Sequence, residues 1–190
     1  MHDIEPYYHW RDYYDAARDK RSPFYGRRYS ELYFTHCIYN YYIHPQWDSF
    51  GSSTLYCKIL YADYVKQFVV IELIGEWNDT LHNDIMEMKR GLINPLIDEG
   101  IRKFILIGEN VLNFHASDEL YYEEWYEEIK EDGGYIVALN FREHVIREMC
   151  NTRIHHFMHI GNAYNDVLWR KVKPFYLHKL VDALIMRSLE

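Results

Sequence analysis

Three groups of side chains have types and spacings that could do chemistry. The first is Ser117, in the stretch "NFHASDEL". A serine just before an acidic first helical turn is a favoured N-cap, because its oxygen accepts a backbone N–H that the helix leaves unpaired. Asp118 and Glu119 would then complement the positive end of the helix dipole. The same position could carry a phosphate, but that phosphate would meet Asp118 and Glu119 in one turn. A nucleophilic serine has no support, since no GxSxG elbow surrounds any serine.

The second group is His155, His156 and His159. On a strand His155 and His159 share a face while His156 points away, so three metal ligands do not converge. On a helix His155 and His159 pair at i, i+4 without the glutamate of HExxH. Ordinary histidines are the expectation, and no metal or other cofactor is implied. The third group is the acid run Glu119, Glu123, Glu124, Glu127, Glu128 and Glu131. Helical spacing sets these residues mostly opposite Tyr122, Trp125, Tyr126 and Ile129, as on a solvated or docking face. Neither GxGxxG nor GxxxxGK[ST] occurs, so nothing points to a nucleotide site.

The elements that must position these residues are clearest after residue 53. "TLYCKILYADY" alternates as a half-buried strand, with Leu55, Cys57, Ile59 and Tyr61 on one face. "FVVIELIGEW" should pair with it as a hairpin. Asn78-Asp79 offers a helix start, followed at helical spacing by Leu81, Ile85, Met88, Leu92 and Leu96. Gly100 is placed to end that helix, and Pro95 to disturb its last turn. "KFILIGENVL" and "YIVALNF" read as strands buried on both faces. Between them the stretch after Ser117 reads as a helix, and "REHVIREMCN" as another. "IHHFMHI" reads as an edge strand, and "PFYLHKLVDALIMRSL" as a final helix. The order β-β-α-β-α-β-α-β-α predicts an α/β fold with a mixed, mainly parallel sheet.

Composition limits the function. A chain of 190 residues, 48% hydrophobic, can bury one sizeable core. A formal net charge of -8 argues against nucleic acid as a partner. The three cysteines contain no CxxC pair, which suits free thiols in a reducing compartment. No segment is long and apolar enough for a membrane, and a cytoplasmic location is expected. The 19 tyrosines crowd residues 1–53, in "EPYYHW", "DYYDAA", "SPFYGRRYSELYF" and "IYNYYIHPQW". Tyrosine combines apolar area with a polar tip, so the crowd suits either a layer packed on the chain's own sheet or a contact face. "DYYDAARDKR" reads as a short helix, and "SELYFTHCIYNYYI" as a helix or a strand.

From residue 54 on, the order and turns resemble the STAS domain, the fold of bacterial anti-sigma-factor antagonists. "FVVIELIGEWND" resembles that family's second strand and its Gly-Glu-Leu-Asp-type turn. "EGIRKFILIGENVLNF" resembles the central strand, and "GGYIVALNFREHVIREMCNTRI" the next strand and its helix. "HASDEL" falls where the family carries Asp-Ser-Ser-Gly-Leu, whose serine is phosphorylated by a partner kinase. Ser117 takes the serine's position, while His115, Ala116, Asp118 and Asn78 depart from the pattern. The resemblance implies a STAS-like α/β domain over residues 54–190 with a Tyr-rich N-terminal extension over residues 1–53. It also implies a non-enzymatic protein-interaction module with a degenerate phospho-switch at Ser117. Asn78, Asp79, His115, Ser117 and Asp118 would meet a regulatory partner of the anti-sigma or kinase type. The alternative is a small-ligand-binding protein or enzyme whose pocket lies between the aromatic segment and the sheet, lined by Tyr39, Tyr41, His44 or His115. A homodimer whose extension wraps its neighbour is a third reading.

Overall fold

Regular structure follows the sequence pattern closely from Leu55 onward and only sparsely before it. The computed structural model describes residues 4–188. In chain order it contains β1 (Cys37–Ile38), β2 (Tyr41–Tyr42), β3 (Leu55–Asp63), β4 (Phe68–Asn78), α1 (Asp79–His82) and α2 (Asp84–Met88). A π-helical turn over Lys89–Ile93 leads into α3 (Asn94–Asp98), β5 (Lys103–His115), α4 (Leu120–Lys130), β6 (Tyr135–Leu139), α5 (Glu143–Asn151) and α6 (Pro174–Ser188). The first three and last two residues of the two segments read from the sequence lie outside the described residues.

The four long strands form one sheet in the order β3-β4-β5-β6. β3 and β4 are antiparallel, whereas β4–β5 and β5–β6 are parallel. The fold is therefore mixed α/β with a mostly parallel sheet. One face is packed by Ile85, Met88, Leu92, Leu96, Tyr122, Trp125, Ile129, Val145 and Met149 from the helices between β4 and α5. The other face is packed by Leu177, Val181 and Ile185 of α6, with Trp10 and Trp169. Both central strands alternate between these cores, which is why their sequences read as continuous apolar runs.

Several local readings are corrected. A bulge between Ile59 and Tyr61 hands the first face of β3 on to Ala62. Tyr61 thereby turns to the opposite face, 5.5 Å from Phe68 between ring centroids. The single helix predicted from Leu81 to Leu96 is broken at Asn83, whose φ is +51°. Asn tolerates that conformation better than most residues. The break swings Leu81 out to solvent, while Ile85, Met88, Leu92 and Leu96 stay buried. Farther on, Pro95 has no N–H to give, and the π-helical turn directly precedes it. The stretch predicted as an edge strand is a 3-10 turn at Ile154–His156. It reaches the sheet only as one bridge, His159 beside Val137.

In residues 4–54 the predicted short helix over "DYYDAARDKR" is a set of turns. The residues that pack there are chiefly Trp10, Phe24, Trp47 and Phe50, whereas Tyr8, Tyr13, Tyr25, Tyr33, Tyr39, Tyr41 and Tyr42 are exposed. Asp48 pairs with Cys57 through both backbone hydrogen bonds, 2.8 and 2.9 Å, and so covers part of the β3 edge. Gly75 lies in β4 at φ +121°, where a Cβ would fall 2.1 Å from the Thr54 carbonyl oxygen. Only glycine fits there, and the pairing with β5 shifts register just after it. No helix among the described residues is long and apolar enough to cross a membrane.

Candidate functional site

The carboxyl ends of β4 and β5 project side by side, and the segments that leave them form one exposed knob. Asn78 ends β4 and caps α1, its Oδ1 accepting the Leu81 N–H at 2.9 Å. The Thr80 hydroxyl donates to the Ala116 carbonyl at 2.8 Å and so ties α1 to the loop after β5. His115 at the end of β5, and Ser117 and Asp118 on that loop, are exposed. Leu81 and Leu120 flank it and are 75% and 64% exposed.

Beneath the knob lies a buried polar network. Asp79 accepts from Trp77 Nε1 at 3.0 Å, from the Ile85 N–H at 2.8 Å and from the Tyr122 hydroxyl at 2.6 Å. Asp84 accepts from the Ser52 hydroxyl at 2.6 Å, the Thr54 hydroxyl at 3.1 Å and the Asn78 N–H at 2.7 Å. Burial pushes the Asp79 carboxyl up to about 6, the three donors opposing that rise and the Asp84 charge adding to it. Burial, and then the Asp79 charge, push the Tyr122 phenol well up. Each of the four carboxylate oxygens accepts at least one of these hydrogen bonds, so this network holds the knob in place.

The sequence-predicted site residues therefore divide into two layers. His115, at the end of β5, and Ser117 and Asp118, on the loop after it, share the exposed layer. Asn78 and Asp79, predicted on the same contact surface, are buried and support it from below. Ser117 is not the helix cap: α4 begins at Leu120, and the side chain that accepts its first N–H is Asp118, at 3.2 Å. The loop runs on two residues farther than the pattern suggests.

Glu123, Glu124, Glu127, Glu128 and Glu131 of the acid run are exposed as predicted from their spacing, whereas Glu119 is half-buried ahead of α4. Glu124 and Glu128 reach Lys89, a fully buried lysine, at 3.2 and 2.7 Å. His155, His156 and His159 border a cavity of about 310 Å³ with Tyr126 and Tyr164. Among the described residues no group of three or more His, Cys, Asp or Glu side chains is placed to hold a metal ion. A cavity of about 290 Å³ does lie between the N-terminal segment and β3. Its walls include Tyr7, Tyr14, Tyr29 and Lys58 and none of Tyr39, Tyr41, His44 or His115. Tyr39 and Tyr41 are exposed, and His44 meets Glu5 at 3.4 Å.

A second polar cluster was not singled out from the sequence. It lies on the opposite face of the sheet, around Glu72 in the middle of β4. Glu72 Oε2 accepts the Tyr7 N–H at 2.8 Å, and Oε1 is 3.7 Å from Arg170. Arg170 makes its close ion pair with Glu109. Glu109 also accepts from Asn140 Nδ2 at 3.0 Å and Trp169 Nε1 at 2.9 Å. Burial raises the Glu72 carboxyl to about 7. The Glu109 carboxyl is lowered: desolvation pushes it up, but the donors from Asn140, Trp169 and Arg170 outweigh that. The available signal was one acid inside the apolar run "VVIELIG". Its partners lie some 65 and 98 positions away in the chain, at Tyr7 and Arg170.

No protein-family model and no curated protein sequence matches the chain.

Proposed function

We propose that the chain is a STAS-like protein-interaction module that acts without catalysis, and that a regulatory protein reads the knob formed by residues 80–82 and 115–120. The observation that carries this reading is the knob's composition. Two exposed leucines flank a serine loop, and the whole is held by one hydroxyl tie and a fully paired buried network. Exposed apolar side chains on a rigid support suit a contact surface, since little ordering is left to be done on binding. The resemblance seen in the sequence gives the partner its class, a kinase-type or anti-sigma regulator. Ser117 is then the position where modification would alter the contact. A phosphate there would sit beside Asp118 and Glu119, so its effect would be repulsion of an acidic partner surface.

The test is site-specific photocrosslinking in the native cells, with the probe at position 81 and a control probe at Val65, which is 94% exposed and remote from the knob in sequence. A discrete adduct at position 81 that Leu120→Asp abolishes supports the module. Equal adducts from both probes would sink it. Phosphopeptide mapping of the same protein tests the switch: phosphate on Ser117, lost in Ser117→Ala, establishes it.

A further inference from the structure

We propose that the cavity over Glu72 is a binding site for a small organic cation, with the Glu72 carboxylate as its counter-ion. Glu72 is 1% exposed in the middle of an apolar strand, where an ionised carboxylate is costly unless it is paired. Its pairing is incomplete. Oε2 has a single close donor, the Tyr7 N–H. Oε1 has no hydrogen-bond donor among the described residues, and its nearest cation, Arg170 at 3.7 Å, is engaged by Glu109.

Two other acids on the sheet show what completion looks like. Glu76 accepts from the Tyr39 hydroxyl at 2.7 Å and Asn113 Nδ2 at 3.0 Å. Glu109 accepts from Asn140, Trp169 and Arg170. Beside the under-paired Glu72 the chain leaves a cavity of about 380 Å³, bordered by Glu5, Tyr7, Tyr8, His9, Asn110 and Arg170. The cavity of about 430 Å³ beside Glu109, by contrast, meets an acid whose two oxygens already have donors. The volume beside Glu72 lies in the range of small-molecule sites, about 300 to 1,000 Å³.

The lining sets the class of ligand. Its acids are Glu5 and Glu72, and its one guanidinium is already neutralised by Glu109, so the cavity is net negative. Tyr7 and Tyr8 add phenol rings, whose faces attract cations. An ammonium or guanidinium group would give Glu72 Oε1 the partner it lacks while its carbon chain met the rings. Binding would also favour the charged carboxylate and release the proton held there.

The groups around Glu72 are the Tyr7 N–H, Arg170 and Glu109, with Glu5 and His9 on the cavity wall and Lys58, held by Asp48, opposite it on β3. The experiment is calorimetric titration of the full chain with putrescine, choline and guanidinium, and with acetate and phosphate as anionic probes. At least one cation is expected to bind at 1:1, with proton release that differs between buffers in the way their ionisation heats require. With the carboxyl at about 7, roughly one tenth of Glu72 is ionised at pH 6, so affinity should fall about tenfold from pH 8 to pH 6. Glu72→Gln keeps an acceptor for the Tyr7 N–H and removes the charge. It should bind at least about tenfold more weakly and lose most of the pH dependence. Glu5 and His9 are unchanged in that variant, so the difference between the two proteins isolates Glu72. A thermal melt at or above that of the parent shows that the variant is folded. No cation binding up to about 10 mM, equal binding by the variant, or binding of the anions instead would each overturn the proposal.

Discussion

Two buried carboxylates, Glu72 in the middle of β4 and Asp79 just past its end at the start of α1, are treated in opposite ways. Asp79 accepts three hydrogen bonds from Trp77, Ile85 and Tyr122, all fixed by the surrounding core. Glu72 accepts one, from the backbone of a residue 65 positions away, and faces a cavity. Both carboxyls are raised by burial, to about 6 and about 7. A shared desolvation cost thus has two outcomes. Where donors saturate the group it becomes scaffold, and where they do not it remains chemically available.

The largest expected effect follows from that contrast. Asp79→Ala strands the Trp77 N–H, the Ile85 N–H and the Tyr122 hydroxyl in a dry interior, and should destabilise the fold by about 4 kcal/mol. Glu72→Gln leaves no existing donor unpaired by a hydrogen bond, because the amide oxygen still accepts from Tyr7, and should cost less. Urea unfolding of both variants at one pH measures the comparison directly. If the two cost the same, the distinction between scaffold and available group is wrong.

The second effect is on pH dependence. The folded Glu72 carboxyl lies above its ordinary value of 4.5, at about 7. Its contribution to stability is therefore fully present below about 4.5 and is lost as the pH rises through about 7, because the folded state holds the proton more tightly. The loss is about 3 kcal/mol at about 1.4 kcal/mol per pH unit. Asp79 acts in the same direction and Glu109 in the opposite one, so the informative quantity is the difference between parent and Glu72→Gln. The variant should match the parent near pH 4 and be the more stable of the two at pH 8. A constant offset across that range would place the Glu72 carboxyl at its ordinary value in the fold.

Tyr122→Phe gives a smaller and more local effect. It removes one of the three donors and leaves Asp79 with two, at a cost of about 1.5 kcal/mol. It should also push the Asp79 carboxyl further up, since a hydrogen bond to the charged form is lost.

What the sequence disclosed follows the range of the interactions involved. The central strands and the Tyr122-Trp125-Ile129 stripe were legible because burial imposes a period that neighbouring residues report. Their sheet is also mostly parallel, as the alternation of strands and helices implies. The break at Asn83 was not legible, because the apolar spacing continues across it and only the φ of one residue changes. Residues 4–54 have no period to read: their order comes from contacts such as the Trp47 indole donating to the Ile4 carbonyl at 2.8 Å. The exposed loop around Ser117 was legible as a turn, but the depth of Asn78 and Asp79 beneath it depends on Ser52, Thr54 and Tyr122, all distant in the chain. The Glu72 cluster shows the same limit, since an acid in an apolar run signals a partner without saying which.

The smallest expected effect separates two residues that look alike as helix caps. Asn78 accepts the Leu81 N–H at 2.9 Å and is buried, so Asn78→Ala should cost about 1 kcal/mol. Ser117 has sequence credentials at least as good, being a serine before two acids. Its oxygen nevertheless lies outside the first turn of α4, and the Leu120 N–H is taken by Asp118. Ser117→Ala should therefore change stability by less than about 0.5 kcal/mol, as at other exposed positions. Paired denaturation curves for the two variants decide this. A cost near 1 kcal/mol at Ser117 would mean that the serine helps hold α4 in solution, leaving it a structural reason to be there. A flat result removes that reason.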